Sequence, residues 1–216
     1  MKPYEDLAEL PFADALKPFD EEWTVDGVYD TVHISGDTLV DIDVRGSRFI
    51  ECAVTQTTLE RGRLRGARLD EVWLRETRLI STDLSETEWL DSAFVSSVLA
   101  GVQSYGSGMR RVIFHGCKLD SVNFRGARLF EVRFTDCLLR DVDFAGATLN
   151  KTSFRGCTLR GVTLSRTTLE QADFRGAELG ISAGHESLRG AIIDSTQLYD
   201  LAPALAQSLG ITVRDR

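Results

Sequence analysis

The sequence has no stretch approaching eighteen consecutive apolar residues, the minimum for a helix crossing a membrane. Its first residues, MKPYEDLAELPFADALKPFDEEW, carry acids where an export signal needs an unbroken apolar segment. A cytoplasmic protein with no membrane partner is expected. Catalytic signatures are missing too: there is no Gly-x-Ser-x-Gly elbow, no phosphate loop and no dinucleotide fingerprint. The four cysteines and three histidines are not at metal-ligand spacing. His33 and His115 fall on outward positions, where a solvated side chain is expected. The chain is therefore expected to need no cofactor or metal and to catalyse nothing.

What charge there is lies unevenly. The net charge is −8, yet residues 1–31 hold nine acids against two lysines, and the remainder holds 24 acids and 23 bases. One end of the molecule should be acidic and the other mildly basic.

The dominant feature is a period of five. From Ile34 to Leu179, thirty positions in strict register contain one polar residue, Ser104, and no insertion or deletion interrupts them. Two residues before each large apolar position sits a small or β-branched one, as in Cys117, Val122, Ala127, Val132 and Cys137. A helix needs apolar spacing of three and four, and a long strand needs spacing of two. A chain that turns a corner every five residues instead points both positions inward on every side, with Gly46, Gly66 and Gly126 among the corner residues. Phe recurs every ten residues from 114 to 154 and Cys every twenty from 117 to 157, so one turn has four sides. Leu39, Leu59, Leu79 and Leu99 should stack in one column, and Phe94, Phe114, Phe134, Phe154 and Phe174 in another. Cys117, Cys137 and Cys157 stack in parallel, which suits core packing rather than a tetrahedral metal site or a disulfide.

Segments such as Ala147-Thr148-Leu149-Asn150-Lys151 and Ala172-Asp173-Phe174-Arg175-Gly176 resemble the pentapeptide-repeat family, and the resemblance runs over residues 32–181. It implies an all-β fold, a right-handed quadrilateral β-helix, here about 36 Å long at a strand spacing of about 4.8 Å. Solenoid ends need caps. Residues 1–31 form the expected acidic first cap, with helical character around residues 7–16. After a register shift within 182–199, where Leu188, Ile193 and Leu198 resume the repeat, Asp200 is placed to cap a short helix over 201–209, with Pro203 in its first turn. A final strand over 211–213 follows. The resemblance implies a two-fold homodimer through this C-terminal end, which assigns residues 200–216 and especially Leu201, Leu205, Leu209, Ile211 and Val213 to dimerisation.

Two surface features mark partner-binding candidates. Residues 92–109 carry no charge and place Val95, Val98 and Tyr105 outward, which fits either a partner patch or a local bulge of the coil. An acidic band includes Asp70, Glu71, Glu88 and Asp91, with Glu51, Glu71 and Asp91 one turn apart. Like charges at strand spacing repel, and Arg48, Arg68 and Arg128 are placed to compensate. Some members of the family resemble DNA in size and charge, bind DNA gyrase or topoisomerase IV, and protect against quinolones. A DNA-like rod of this length would present about twenty negative charges, whereas residues 32–216 net −1. A protein-interaction scaffold with a protein partner and no direct nucleic-acid contact is thus the first reading. A gyrase-binding DNA mimic is the alternative.

Overall fold

The structure is a computed structural model describing residues 4–214; residues 1–3 and 215–216 of the expected N-terminal cap and C-terminal element lie outside the described residues. The chain forms a mostly β, parallel solenoid of about eight turns with one short C-terminal helix, α1 (Ser195–Ser208). Each turn has four faces of one pentad each. Strands on the first face run from Val32–Ser35 to Arg133–Thr135, those on the second from Thr38–Val40 to Glu178–Ala183, and those on the fourth from Val28–Asp30 to Thr168–Glu170. The third face is joined by single bridges such as Asp43↔Arg63 and Arg63↔Asp83. Residues twenty apart pair along every face, as in Leu79↔Leu99 and Phe94↔Phe114.

The period becomes this shape through the backbone at its corners. From Tyr29 to Phe174, the residue two beyond each central one takes a left-handed conformation, whether it is Gly66 (φ 71°) or a side-chain-bearing residue such as Glu71 (φ 54°) or Asp91 (φ 49°). Left-handed φ costs an L-residue roughly 1–2 kcal/mol. Burial of the central side chain offsets it, at about 1.5–3 kcal/mol for a large apolar group. The reversal sends the corner side chain outward, so corner residues twenty apart line up in columns.

Inside, the Phe column stacks face to face, with Phe94–Phe114, Phe114–Phe134 and Phe134–Phe154 centroids at 4.6, 4.7 and 5.0 Å. Ser104 occupies its inward position fully buried, its hydroxyl 3.0 Å from that of Ser107. The register there is unbroken, with Gln103 bridging Asn123 and Gly108 paired to Arg128. The bulge considered for residues 92–109 therefore does not occur. Cys52, Cys117, Cys137 and Cys157 are buried free thiols, and burial raises the Cys52 pKa.

The ends differ from expectation. The coil starts before residue 32: Tyr29 is a buried centre residue, and Val28–Asp30 pairs with Arg48–Ile50. Phe19 and Trp23 stack at 4.1 Å and pack on Tyr29, closing the open mouth of the first turn. The helical segment expected around residues 7–16 is two short 3-10 turns, Leu7–Glu9 and Ala13–Ala15. At the other end, the strand Glu178–Ala183 pairs with Thr158–Thr163 through two register irregularities.

Candidate interaction surfaces

The pentad pattern makes the outward side of a strand polar by default. On the first face it is apolar at Ala53, Trp73 and Val95, and these three are buried beneath Leu10 and Phe12. The N-terminal segment therefore lies along the first face. Trp73 Nε1 donates to the Tyr4 carbonyl at 3.1 Å, Asp6 caps the first turn by accepting from the Ala8 amide, and Lys17–Pro18 adds a parallel strand beside Val32 and His33. An apolar outward pair such as Trp73 and Val95 is the signal in the sequence that something covers this face.

Beside that segment runs a groove of about 340 Å³. Its floor is the outward column Trp73, Ala93 and Ile113, one wall is Leu10, Pro11 and Phe12, and the opposite rim is the corner column between the fourth and first faces. In that column Arg111 holds Asp91 by two hydrogen bonds of 2.6 and 2.5 Å, and Lys151 lies 3.6 Å from Glu131. Glu51 and Glu71 have no ion-pair partner among the described residues. Partial burial and the charges of Glu51, Asp70 and Asp91 raise the Glu71 pKa.

The sequence candidates do not assemble into one site. Glu71 and Asp91 share the corner column, while Asp70 and Glu88 lie on the fourth face, where Arg128 binds Glu88 at 2.8 Å. Arg128 thus answers Glu88 on the fourth face rather than the corner column it was expected to compensate, and the base that answers Asp91 is Arg111. Val95 is buried under the N-terminal segment, Val98 is half-buried on the second face, and Tyr105 is exposed at the corner after the third. The single apolar patch expected over residues 92–109 is therefore divided among separate faces, because five residues suffice to turn a corner. His33, expected to be solvated, is partly buried and bonds Thr55 Oγ1 at 2.9 Å, and burial lowers its pKa. His115 likewise buries Nδ1, without a partner among the described residues. No group of three or more His, Cys, Asp or Glu side chains is arranged to hold a metal among the described residues. Among the described residues no helix is long and apolar enough to cross a membrane.

At the C-terminal end, α1 begins six residues before the expected start. Its cap is Asp194, which accepts from the Gln197 amide at 3.0 Å, while Gln197 Oε1 accepts from the Asp194 amide at 2.9 Å. Asp200 lies within the helix, and Pro203 is in its interior rather than its first turn. Gln197 Nε2 donates to the carbonyls of Phe174 and Ala177 at 2.6 and 2.7 Å, closing the last turn of the coil. Leu201 is buried and Leu205 half-buried, whereas Leu209, Ile211 and Val213 are exposed, and residues 211–213 form no strand. Leu188 and Ile193 pack on the core, but Leu198, expected to continue the repeat, is turned out by the helix. Beside it Tyr199 is 79% exposed.

A parallel β-solenoid wound from five-residue units, closed by aromatic residues at one end and a helix at the other, is the class these features define. Residues 87–164 match the family model described as pentapeptide repeat region. Over that stretch the chain is similar to pentapeptide-repeat proteins. Among solved structures it is similar to HetL, a pentapeptide repeat protein involved in heterocyst differentiation regulation from the cyanobacterium Nostoc sp., at 18% identity over 79% of this chain and 90% of that one, with a TM-score of 0.49. It is also similar to trypsin-treated QnrB1, a plasmid-mediated fluoroquinolone resistance protein, at 19% identity over 88% of this chain and 100% of that one, with a TM-score of 0.44. No curated protein matches the sequence.

Proposed function

We propose that this protein is a non-enzymatic, cytoplasmic interaction scaffold that works as a two-fold homodimer joined through its C-terminal end. The carrying observation is the exposed apolar surface there: Leu198, Tyr199, Leu209, Ile211 and Val213 lie within sixteen residues, and each is more than half exposed. A second copy offers the same surface by symmetry, and a two-fold contact needs only self-complementarity. The dimer residues are accordingly Leu209, Ile211 and Val213 together with Leu198 and Tyr199, with Leu205 at the margin and Leu201 acting from beneath.

Light scattering on a sizing column tests this reading. The expected mass is twice the 24.0 kDa of one chain, and Leu198→Glu with Tyr199→Glu should return the protein to one chain. A wild-type monomer at high micromolar concentration overturns it.

The charge pattern favours a scaffold over a DNA-like rod. Arg111, Arg128 and Lys151 interrupt the acidic band with ion pairs, so no continuous negative face runs the length of the coil. Supercoiling by purified gyrase, with and without ciprofloxacin, should be unchanged at tens of micromolar protein. Poison rescue that weakens with salt would favour the topoisomerase reading instead.

A further inference from the structure

The groove beside the N-terminal segment combines an apolar floor with an unbalanced rim. Leu10 and Phe12 bury Trp73, but Ala93 and Ile113 farther along the same column are only half-buried. Arg133 ends the floor column beyond Ile113, and on the rim Asp91 and Glu131 are each answered by a base, so the acidic excess lies at the Glu71 end of the groove. Glu71, which lines the groove, and Glu51 one turn before it are answered by none among the described residues.

We propose that this groove binds an extended segment of a partner protein in which large apolar side chains alternate with Lys or Arg, the apolar groups seated on Ala93 and Ile113 and a cation on Glu71. The proposal rests on the scaffold reading and gives the recognition chemistry of its partner. Dimensions argue for a chain segment. The column from Trp73 to Arg133 spans three turns, about 14 Å at a spacing of about 4.8 Å, and an extended chain rising about 3.3 Å per residue crosses it in about four residues. The volume of about 340 Å³ accommodates a large apolar side chain together with the aliphatic stem of a neighbouring base. Charge complementarity argues for the cation. Glu51 and Glu71 repel across one turn, and a positive group placed on Glu71 relieves that repulsion, whereas an acidic segment adds to it.

The test uses the full chain and three fluorescein-labelled octapeptides, read by fluorescence anisotropy at low and moderate salt. One has the core Phe-Lys-Leu-Arg, one the charge-reversed core Phe-Glu-Leu-Asp, and one the core Gly-Lys-Gly-Arg. The first should bind at least about tenfold more tightly than either control. Glu71→Gln should weaken it about threefold at low salt, the scale of one exposed charge pair, and less as salt rises. Ile113→Arg should weaken it more than about tenfold at an unchanged melting temperature, by filling the groove with a like charge. If Ile113→Arg disturbs folding, the Glu71→Gln result decides alone. The proposal is overturned if the charge-reversed peptide binds as well, if Glu71→Gln leaves binding untouched, if a small amine such as tryptamine binds as tightly as the peptide, or if the first peptide shows no saturable binding. Peptide loss with an intact dimer overturns the groove alone; a monomer that still binds the peptide overturns the dimeric scaffold alone.

Discussion

Arg111 reaches back one turn to hold Asp91 by two hydrogen bonds, Nε to Oδ1 at 2.6 Å and Nη2 to Oδ2 at 2.5 Å. That contact breaks what would otherwise be an acidic column from Glu51 to Glu131 and leaves Glu71 at the edge of the uncompensated part. Arg111→Gln should therefore lower the melting temperature at low salt, with the loss shrinking in about 0.5 M salt as screening replaces the missing charge. Thermal melts of both proteins at the two ionic strengths measure it.

Glu71 gives a pH signature of the opposite sense to an ordinary ion-paired carboxylate. Partial burial and then the charges of Glu51, Asp70 and Asp91 raise its pKa above the ordinary carboxylate value. The folded state therefore binds its proton more readily than the unfolded one, and stability falls as pH rises through the window between the ordinary and the raised value. Above that window the penalty is fully present, and below the ordinary value it is gone. Glu71→Gln should raise the melting temperature at pH 7 and leave it unchanged near pH 3.

Gln197 closes the coil by donating to two carbonyls of its last complete turn, Phe174 and Ala177. Gln197→Leu keeps comparable bulk but leaves both acceptors without that amide, at a cost of about 1–3 kcal/mol. In a repeat protein such damage stays local at first. Hydrogen exchange should accelerate over Thr168–Glu170 and Glu178–Ala183 while the central turns stay protected.

Phe134 sits in the middle of the aromatic column, 4.7 Å from Phe114 and 5.0 Å from Phe154 between ring centroids. Phe134→Ala should cost about 3–5 kcal/mol, because neighbouring turns on both sides prevent collapse of the cavity. Leu39→Ala, at a half-buried position near the start of the neighbouring leucine column, should cost clearly less. Urea denaturation of the two variants compares them.

The coil was legible because one rule repeats: Leu79 lies on Leu99 and Phe94 on Phe114 for the same reason, and any register error would have turned the series outward. The ends were harder because other interactions compete with that rule. Tyr29 falls five residues before Ile34 and so belongs to the repeat, but the acids around it look like a separate cap. Asp194 and Gln197 spell a capping box, yet Ile193 and Leu198 also keep the five-residue spacing, and the helical period took over before Leu198. Surface columns were harder again. The corner column of Glu51, Glu71 and Asp91 follows from spacing alone, whereas the choice of Arg111 as the partner of Asp91 depends on side-chain reach. Likewise, the burial of Val95 depends on where Leu10 and Phe12 fold back, a contact between segments some eighty residues apart in the chain.

Small-angle X-ray scattering of the intact protein tests the central claim most directly, because forward intensity gives the mass and the distance distribution gives the arrangement. Eight turns make one coil about 38 Å long. Two chains joined at their C-terminal ends should scatter with twice the mass of one chain and a longest dimension of about twice the coil length plus both caps. A particle of 24.0 kDa, or a dimer no longer than one chain with its coils side by side, would contradict the account.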